Sequence, residues 1–196
     1  MRRVVVARVA VLGLAWSLGV GCAQPGWAAT AGGATLPDTY PLAGQTLVLN
    51  GLGIRTLTVF NVKVYAAGLY LAQRSGDACA IMASPGPKVI VLQFLHAASK
   101  SDIEKRYREG EQRNCGQGGC APADAADFDR LIAVTPAAAV GDTLTYVLSP
   151  KGVRALFNNR QVGEFTNPDL ALRLLGGFIG DAPPSEDLKR HLLGAP

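Results

Sequence analysis

The sequence is poor in the residues on which catalytic centres usually draw. It holds two histidines, His96 and His191, in unrelated segments near element ends, and neither has a serine–carboxylate context. No Ser/His/Asp set, phosphate-binding loop or paired-carboxylate motif stands out, so hydrolytic and nucleotide chemistry lack a carrier. Cys79, Cys115 and Cys120 have no fourth ligand at metal spacing, so neither a metal nor a cofactor is expected. There is no basic stripe and no interleaving of aromatic with basic residues, which argues against nucleic acid as a partner. No internal repeat is visible. Acidic residues are missing altogether before Asp38, and both tryptophans, Trp16 and Trp27, fall in that same stretch.

What is present at the start reads as a targeting segment. Arg2, Arg3 and Arg8 precede an apolar run from Val9 to Val20, too short to span a bilayer comfortably. Small residues follow, and cleavage after Ala28 or after Ala31 satisfies the small-x-small rule. Residues 1–28 are therefore expected to be a signal peptide, and the protein to be exported, most simply to a bacterial periplasm. The formal net charge of +4 owes three positive charges to this leader. Without them about +1 remains, so the basicity is largely a targeting feature. The run Leu18-Gly-Val-Gly21-Cys22 loosely resembles a lipoprotein box, with Gly19 where an apolar residue is usual. A membrane association is expected only through lipidation at Cys22, and lipid anchoring is the lesser reading.

With 196 residues, 48% of them hydrophobic, the chain has material for one domain with a core. Residues 29–45 are rich in Gly, Pro and Thr and aperiodic, and read as a flexible arm. The domain itself is expected over 46–196. Strands are expected over 46–52, then as two strands within GLGIRTLTVFNVKVYAAGLYLA (51–72), with Gly53 as a break, and over 88–95. A short helix is read over 76–84. The charged segment SKSDIEKRYREGEQRN reads as a helix with Ser101 as N-cap and Glu104 completing a capping box. On it Ile103, Tyr107 and Gly110 face inward, while Asp102, Lys105, Arg106, Arg108 and Glu109 mostly face solvent. A second helix is expected over 123–134. Strands at 142–148, 153–157 and 161–165 form an antiparallel meander through tight turns. Asn167 caps a helix that starts at Pro168, and Ser185 caps a last helix ending in Lys189, Arg190 and His191. Cys115 and Cys120, separated by Gly-Gln-Gly-Gly, are the favoured disulfide, with pairing of Cys79 to one of them as the alternative. Strands, helices, strands, helices in that order make an α+β protein, an antiparallel sheet with helices on one face.

Gly51-x-Gly53-x-Arg55 opening a hairpin, followed by Lys63-Val-Tyr-Ala-Ala-Gly68-Leu-Tyr-Leu71, resembles the chalcone isomerase-like superfamily, and in particular its exported bacterial group. The likeness extends over about residues 45–194 in element order. It implies an open-faced β-sandwich, a large antiparallel sheet under a layer of helices with a ligand cleft between them. The family's isomerases close a flavanone ring, and their arginine stabilises developing negative charge. Arg55 matches that arginine. The family's Thr, Tyr, Lys and Ser/Thr positions fall on Tyr65, Asp102, Lys105 and Asn167, so only the arginine and the lysine are kept. Other members bind fatty acids without catalysis, gripping the carboxylate with an Arg and a Tyr. Arg55 with Tyr65 or Tyr107 could supply that grip.

The replaced positions favour binding over catalysis. The expected function is that of a non-catalytic binding protein for a small acidic or amphipathic ligand such as a fatty acid, held by Arg55, Tyr65, Tyr107 and Asn167. The alternative is an isomerase or intramolecular lyase acting on a flavonoid-like enone, with Arg55 and, more weakly, Lys105 as catalytic groups. The hairpin register discriminates. A two-residue turn at Phe60-Asn61 sets Arg55 opposite Ala66. A three-residue turn centred on Phe60 sets it opposite Tyr65, which the family's cross-strand Arg–Thr pair favours.

Overall fold

The computed structural model describes residues 28–57, 60–116 and 118–195. The expected leader and Cys22, with its lipidation, lie outside them. Seven strands, β3 (Thr39–Leu42), β4 (Gln45–Leu57), β5 (Val62–Leu71), β6 (Lys88–Phe94), β7 (Thr143–Ser149), β8 (Gly152–Phe157) and β9 (Arg160–Phe165), form one antiparallel sheet. Their order in space is their order in the chain. Among the described residues five helices accompany the sheet: α1 (Ala78–Ala83), α2 (Lys100–Cys115), α3 (Pro122–Val134), α4 (Pro168–Ile179) and α5 (Glu186–Leu192). The α+β class and the sheet-under-helices layering are as read from the sequence. None of these helices is long and apolar enough to cross a membrane.

Period-two alternation gives the sheet two apolar faces. Ala67, Leu69, Ile90, Leu92, Leu144, Tyr146 and Ala155 point to the helix side and join Ile103, Phe128, Leu131, Leu170, Leu174 and Leu188 in the main core. Tyr70, Val89, Val91 and Val147 point the other way, into a second core with Leu36, Leu47 and Leu49.

Leu36 belongs to the stretch read as a flexible arm, and here the sequence reading needs correction. Residues Ala28–Ala31 (β1) and Ala34–Pro37 (β2) form a separate hairpin, and Thr39–Leu42 is the edge strand of the main sheet. Ala34 and Leu36 are buried on the sheet's second face, and the Tyr70 hydroxyl donates to the Pro37 carbonyl at 2.9 Å. Exposed apolar alternation on β5 and β6 demands a cover, and this hairpin supplies it. Its glycines and proline disguise the alternation.

Gly53 is no break either, because β4 runs on through it. The thinness of β4 at Gly51 and Gly53 lets α5 lie directly on the strand. A Cβ on Gly51 would fall 2.6 Å from the Leu192 carbonyl oxygen, and nearer still to that of His191. Asn50, beside it, donates to Leu192 O at 2.8 Å and Ser75 O at 3.0 Å, and accepts from Ser75 N at 2.7 Å.

The helix starts are set by side chains. α2 is capped by Ser99 with Asp102 closing the box, two residues earlier than the Ser101–Glu104 pair expected. Hydrogen bonds from the Ser99 hydroxyl and backbone N–H lower the Asp102 pKa. Asn167 and Ser185 cap α4 and α5 as expected. Cys115 and Cys120 form the disulfide, tying the end of α2 to the start of α3, while Cys79 is free and exposed.

Candidate functional site

Arg55 stands opposite Tyr65, and Tyr65 opposite Phe94, so three side chains share one row on the helix-facing side of the sheet. The preferred register is therefore the one adopted, though a bulge produces it. The pairing shifts between Arg55 and Thr56, leaving Val64 as the extra residue on β5. Its carbonyl accepts from Leu95 N at 2.9 Å and His96 N at 3.2 Å. A bulge re-aims the side chains beside it, and here it lies next to the row that carries the charge.

This row opens on a cleft of about 390 Å³ between the sheet and α2, α3 and α4. Leu92, Phe94 and Leu144 line it from the sheet, and Ile103, Phe128, Leu174 and Phe178 from the helix layer. Arg55, Tyr65, Arg106 and Arg113 also border it. The size and the apolar lining are those of a small-molecule site, which typically offers about 300–1,000 Å³.

The charge balance around Arg55 is one-sided. Burial lowers its pKa, the neighbouring Tyr65 opposes the shift, Arg106 and Arg113 lower it further, and Glu109 opposes. Glu109 is already bound to Arg106 at 2.9 Å. Among the described residues no carboxylate lies within ion-pair distance of Arg55 or Arg113, and Nη1 of Arg55 donates to Thr56 O at 3.0 Å. Tyr65 is half-buried, and burial pushes its pKa up to about 12 despite Arg55, Arg113 and Arg106 nearby. It is therefore a neutral hydroxyl beside an unpaired guanidinium at neutral pH.

A second polar feature lies deeper. The hydroxyls of Tyr146 and Tyr107 meet, and Tyr107 reaches Thr135 Oγ1 at 3.2 Å. Thr135 Oγ1 donates to Leu131 O at 2.7 Å. Lys100 Nζ holds this end of α3 by donating to Thr135 O at 2.6 Å, to Ala133 O at 3.1 Å and to Ile132 O. Burial raises the pKa of both tyrosines, and that of Tyr146 rises well above the ordinary value.

All five tyrosines have raised pKa values, with burial as the largest cause at each. A group whose pKa is higher folded than unfolded gives stability that is complete below the unfolded value and is lost as pH climbs through the folded one. Ultraviolet titration should therefore show little tyrosinate at pH 10, the ordinary value. Tyrosinate should appear at higher pH together with loss of circular dichroism. Five tyrosines ionising near pH 10 in an intact fold would contradict this burial.

The structure brings Arg55, Tyr65 and Tyr107 together in the cleft and leaves out two other expected site residues. Asn167 is committed elsewhere. Its Oδ1 accepts from Asp169 N at 3.0 Å, and its Nδ2 donates to the buried Asp124 and Asp127 at 3.0 and 2.9 Å. Lys105 is exposed and does not line the cleft, because the inward stripe of α2 passes through Ile103 and Tyr107 instead. Asp102 borders the cleft, but its carboxylate is engaged as a cap. Sequence reasoning missed Tyr146, which shares strand parity with the buried Leu144 and Leu148. It also missed Arg106 and Arg113, which flank the inward stripe of α2.

The sequence profile described as chalcone isomerase-like matches residues 28–194. The chain belongs to the chalcone isomerase-like family. Among solved structures, this chalcone isomerase-like chain is similar to a fatty-acid binding protein from Arabidopsis thaliana, at TM-score 0.68 and 16% identity. The likeness covers 85% of this chain and 96% of that one, and it concerns the fold. No protein of curated function matches by sequence. The family match begins at residue 28, so it takes in the β1–β2 hairpin as well as the main sheet.

Proposed function

We propose that the cleft binds a small acidic, amphipathic molecule such as a fatty acid and catalyses no reaction on it. The observation that carries this reading is Arg55. It is a partly desolvated guanidinium with no carboxylate partner among the described residues, set beside the neutral Tyr65 hydroxyl at an apolar cleft. A guanidinium matches a carboxylate in geometry and charge, and the hydroxyl adds a donor. The apolar lining takes the tail. That the similar Arabidopsis protein binds fatty acid is in keeping with this reading. An isomerase of an enone would use the same arginine. The other groups it would call on, Lys105 and Asn167, are solvated and structural respectively. Export to the periplasm is part of the proposal and rests on the leader. Cell fractionation with N-terminal sequencing tests it.

Calorimetric titration with saturated acids of increasing length tests the binding. Each added methylene should tighten binding about fourfold, from ~0.8 kcal/mol per buried CH₂, until the cleft is full. A methyl ester of the same chain should bind much more weakly. Absence of saturable binding, or an ester that binds as well as the acid, overturns the reading.

A further inference from the structure

The hydroxyl chain at the inner end of the cleft has a fixed direction. A backbone carbonyl only accepts, so the single proton of Thr135 Oγ1 is committed to Leu131 O. Thr135 can then meet Tyr107 only as an acceptor, which commits the Tyr107 proton to Thr135. Tyr107 in turn can meet Tyr146 only as an acceptor, which commits the Tyr146 proton to Tyr107. All protons run from Tyr146 toward the carbonyl. Tyr146 itself lines the cleft and is almost wholly buried. It presents oxygen lone pairs there and no free proton.

The cleft thus has two polar features of opposite character. Arg55 and Tyr65 offer protons, and Tyr146 asks for one. Their separation follows from the register. Arg55, Tyr65 and Phe94 form one row, while Tyr146 pairs with Ile90, four residues further along β6. At ~3.3 Å per residue the two rows lie roughly 13 Å apart along the strands at the backbone, and the long side chains bring the Tyr65 and Tyr146 hydroxyls nearer, so that Tyr65 helps to raise the Tyr146 pKa. An unsubstituted acyl chain meets the first feature and leaves the second facing hydrocarbon.

We propose that the ligand is a hydroxy acid, a molecule whose acid group meets Arg55 and whose remote hydroxyl donates to Tyr146. The inference rests on the acid-binding reading above. It makes Tyr146 a specificity-determining residue, with Thr135 as the positioning residue that sets the polarity.

The test compares decanoic acid, 10-hydroxydecanoic acid and 10-methoxydecanoic acid by calorimetric titration of the full chain. The hydroxyl can donate, and the methyl ether can only accept. The hydroxy acid should bind about threefold to tenfold tighter than decanoic acid, the worth of one hydrogen bond that spares a buried acceptor. The ether should bind no better than decanoic acid. In Tyr146→Phe the ratio of hydroxy to plain acid should fall to about one, and in Thr135→Val, which frees the hydroxyl chain to reverse and Tyr146 to donate, the ether should gain on decanoic acid. Equal affinities of the hydroxy and plain acids, or an ether as tight as the alcohol, overturn the inference while leaving acid binding intact. If none of the three binds, the acid-binding reading fails and this inference with it. Because the ligand series needs no variant, the test survives a variant that does not fold.

Discussion

Replacing Arg55 by methionine should weaken binding of a saturated fatty acid by roughly tenfold to a hundredfold, the ~1.5–3 kcal/mol of a charged hydrogen bond. Binding of the methyl ester should hardly change, since methionine keeps an apolar stem in the row with Tyr65 and Phe94. The fold should be as stable as before or more so. Burial and the like charges of Arg106 and Arg113 disfavour the charged guanidinium, and Glu109, which opposes them, is already bound to Arg106. Arg55→Lys should restore only part of the affinity, because an ammonium meets a carboxylate as a point charge and not as a fork. Titration calorimetry and thermal denaturation on the same preparations check both halves. An unchanged acid affinity would remove Arg55 from the site. A large loss of stability would make it a structural arginine.

The second large effect falls on stability alone. Gly51→Ala should cost more than about 3 kcal/mol, beyond the usual range for overpacking. The added methyl group would press on the His191 and Leu192 carbonyls, which belong to helix backbone and have no rotamer to give. α5 would have to lift off β4, taking Leu188 and Leu192, both fully buried, out of the core and breaking the bond from Asn50 to Leu192. Urea denaturation should show a lowered midpoint. Gly110→Ala is the control. A Cβ at that glycine would meet nothing within 4 Å outside its own helix backbone, and alanine is the better helix former. Equal midpoints for Gly51→Ala and wild type would refute the close docking of α5.

The sequence reveals the parts of this architecture that rest on local rules. The meander β7–β8–β9, with Asn158 and Asn159 at positive φ in its last turn, follows from turn chemistry. The caps of α4 and α5 follow from Asn167-Pro168 and Ser185. The pairing of Arg55 with Tyr65 is legible because parity leaves few registers. The bulge at Val64 that delivers it is not, since a bulge and a three-residue turn move the partner by the same amount. What escapes the sequence depends on distant partners. Asn167 looks like a cap and nothing more, because Asp124 and Asp127 lie 43 and 40 residues away. The run TAGGATLP looks like loop because the burial of Ala34 and Leu36 is decided by the far face of β4 and β5. Tyr146 is visible as a core residue, but its polarity becomes a property only once Tyr107 and Thr135 are beside it.

The docking of α5 also bears on the order in which the molecule can be completed during synthesis. Every strand pairing in the main sheet joins neighbours in sequence, so the sheet can grow as the chain lengthens, each strand adding to the last. α5 is the exception. It returns to β4, with Asn50 and Leu192 bonded across 142 residues. Until α5 has left the ribosome, the groove over Gly51 and Gly53 stays open and the main core lacks Leu188 and Leu192. A chain still being made therefore carries a nearly finished sheet with an unlatched edge to its core, and the arrival of α5 is what latches it.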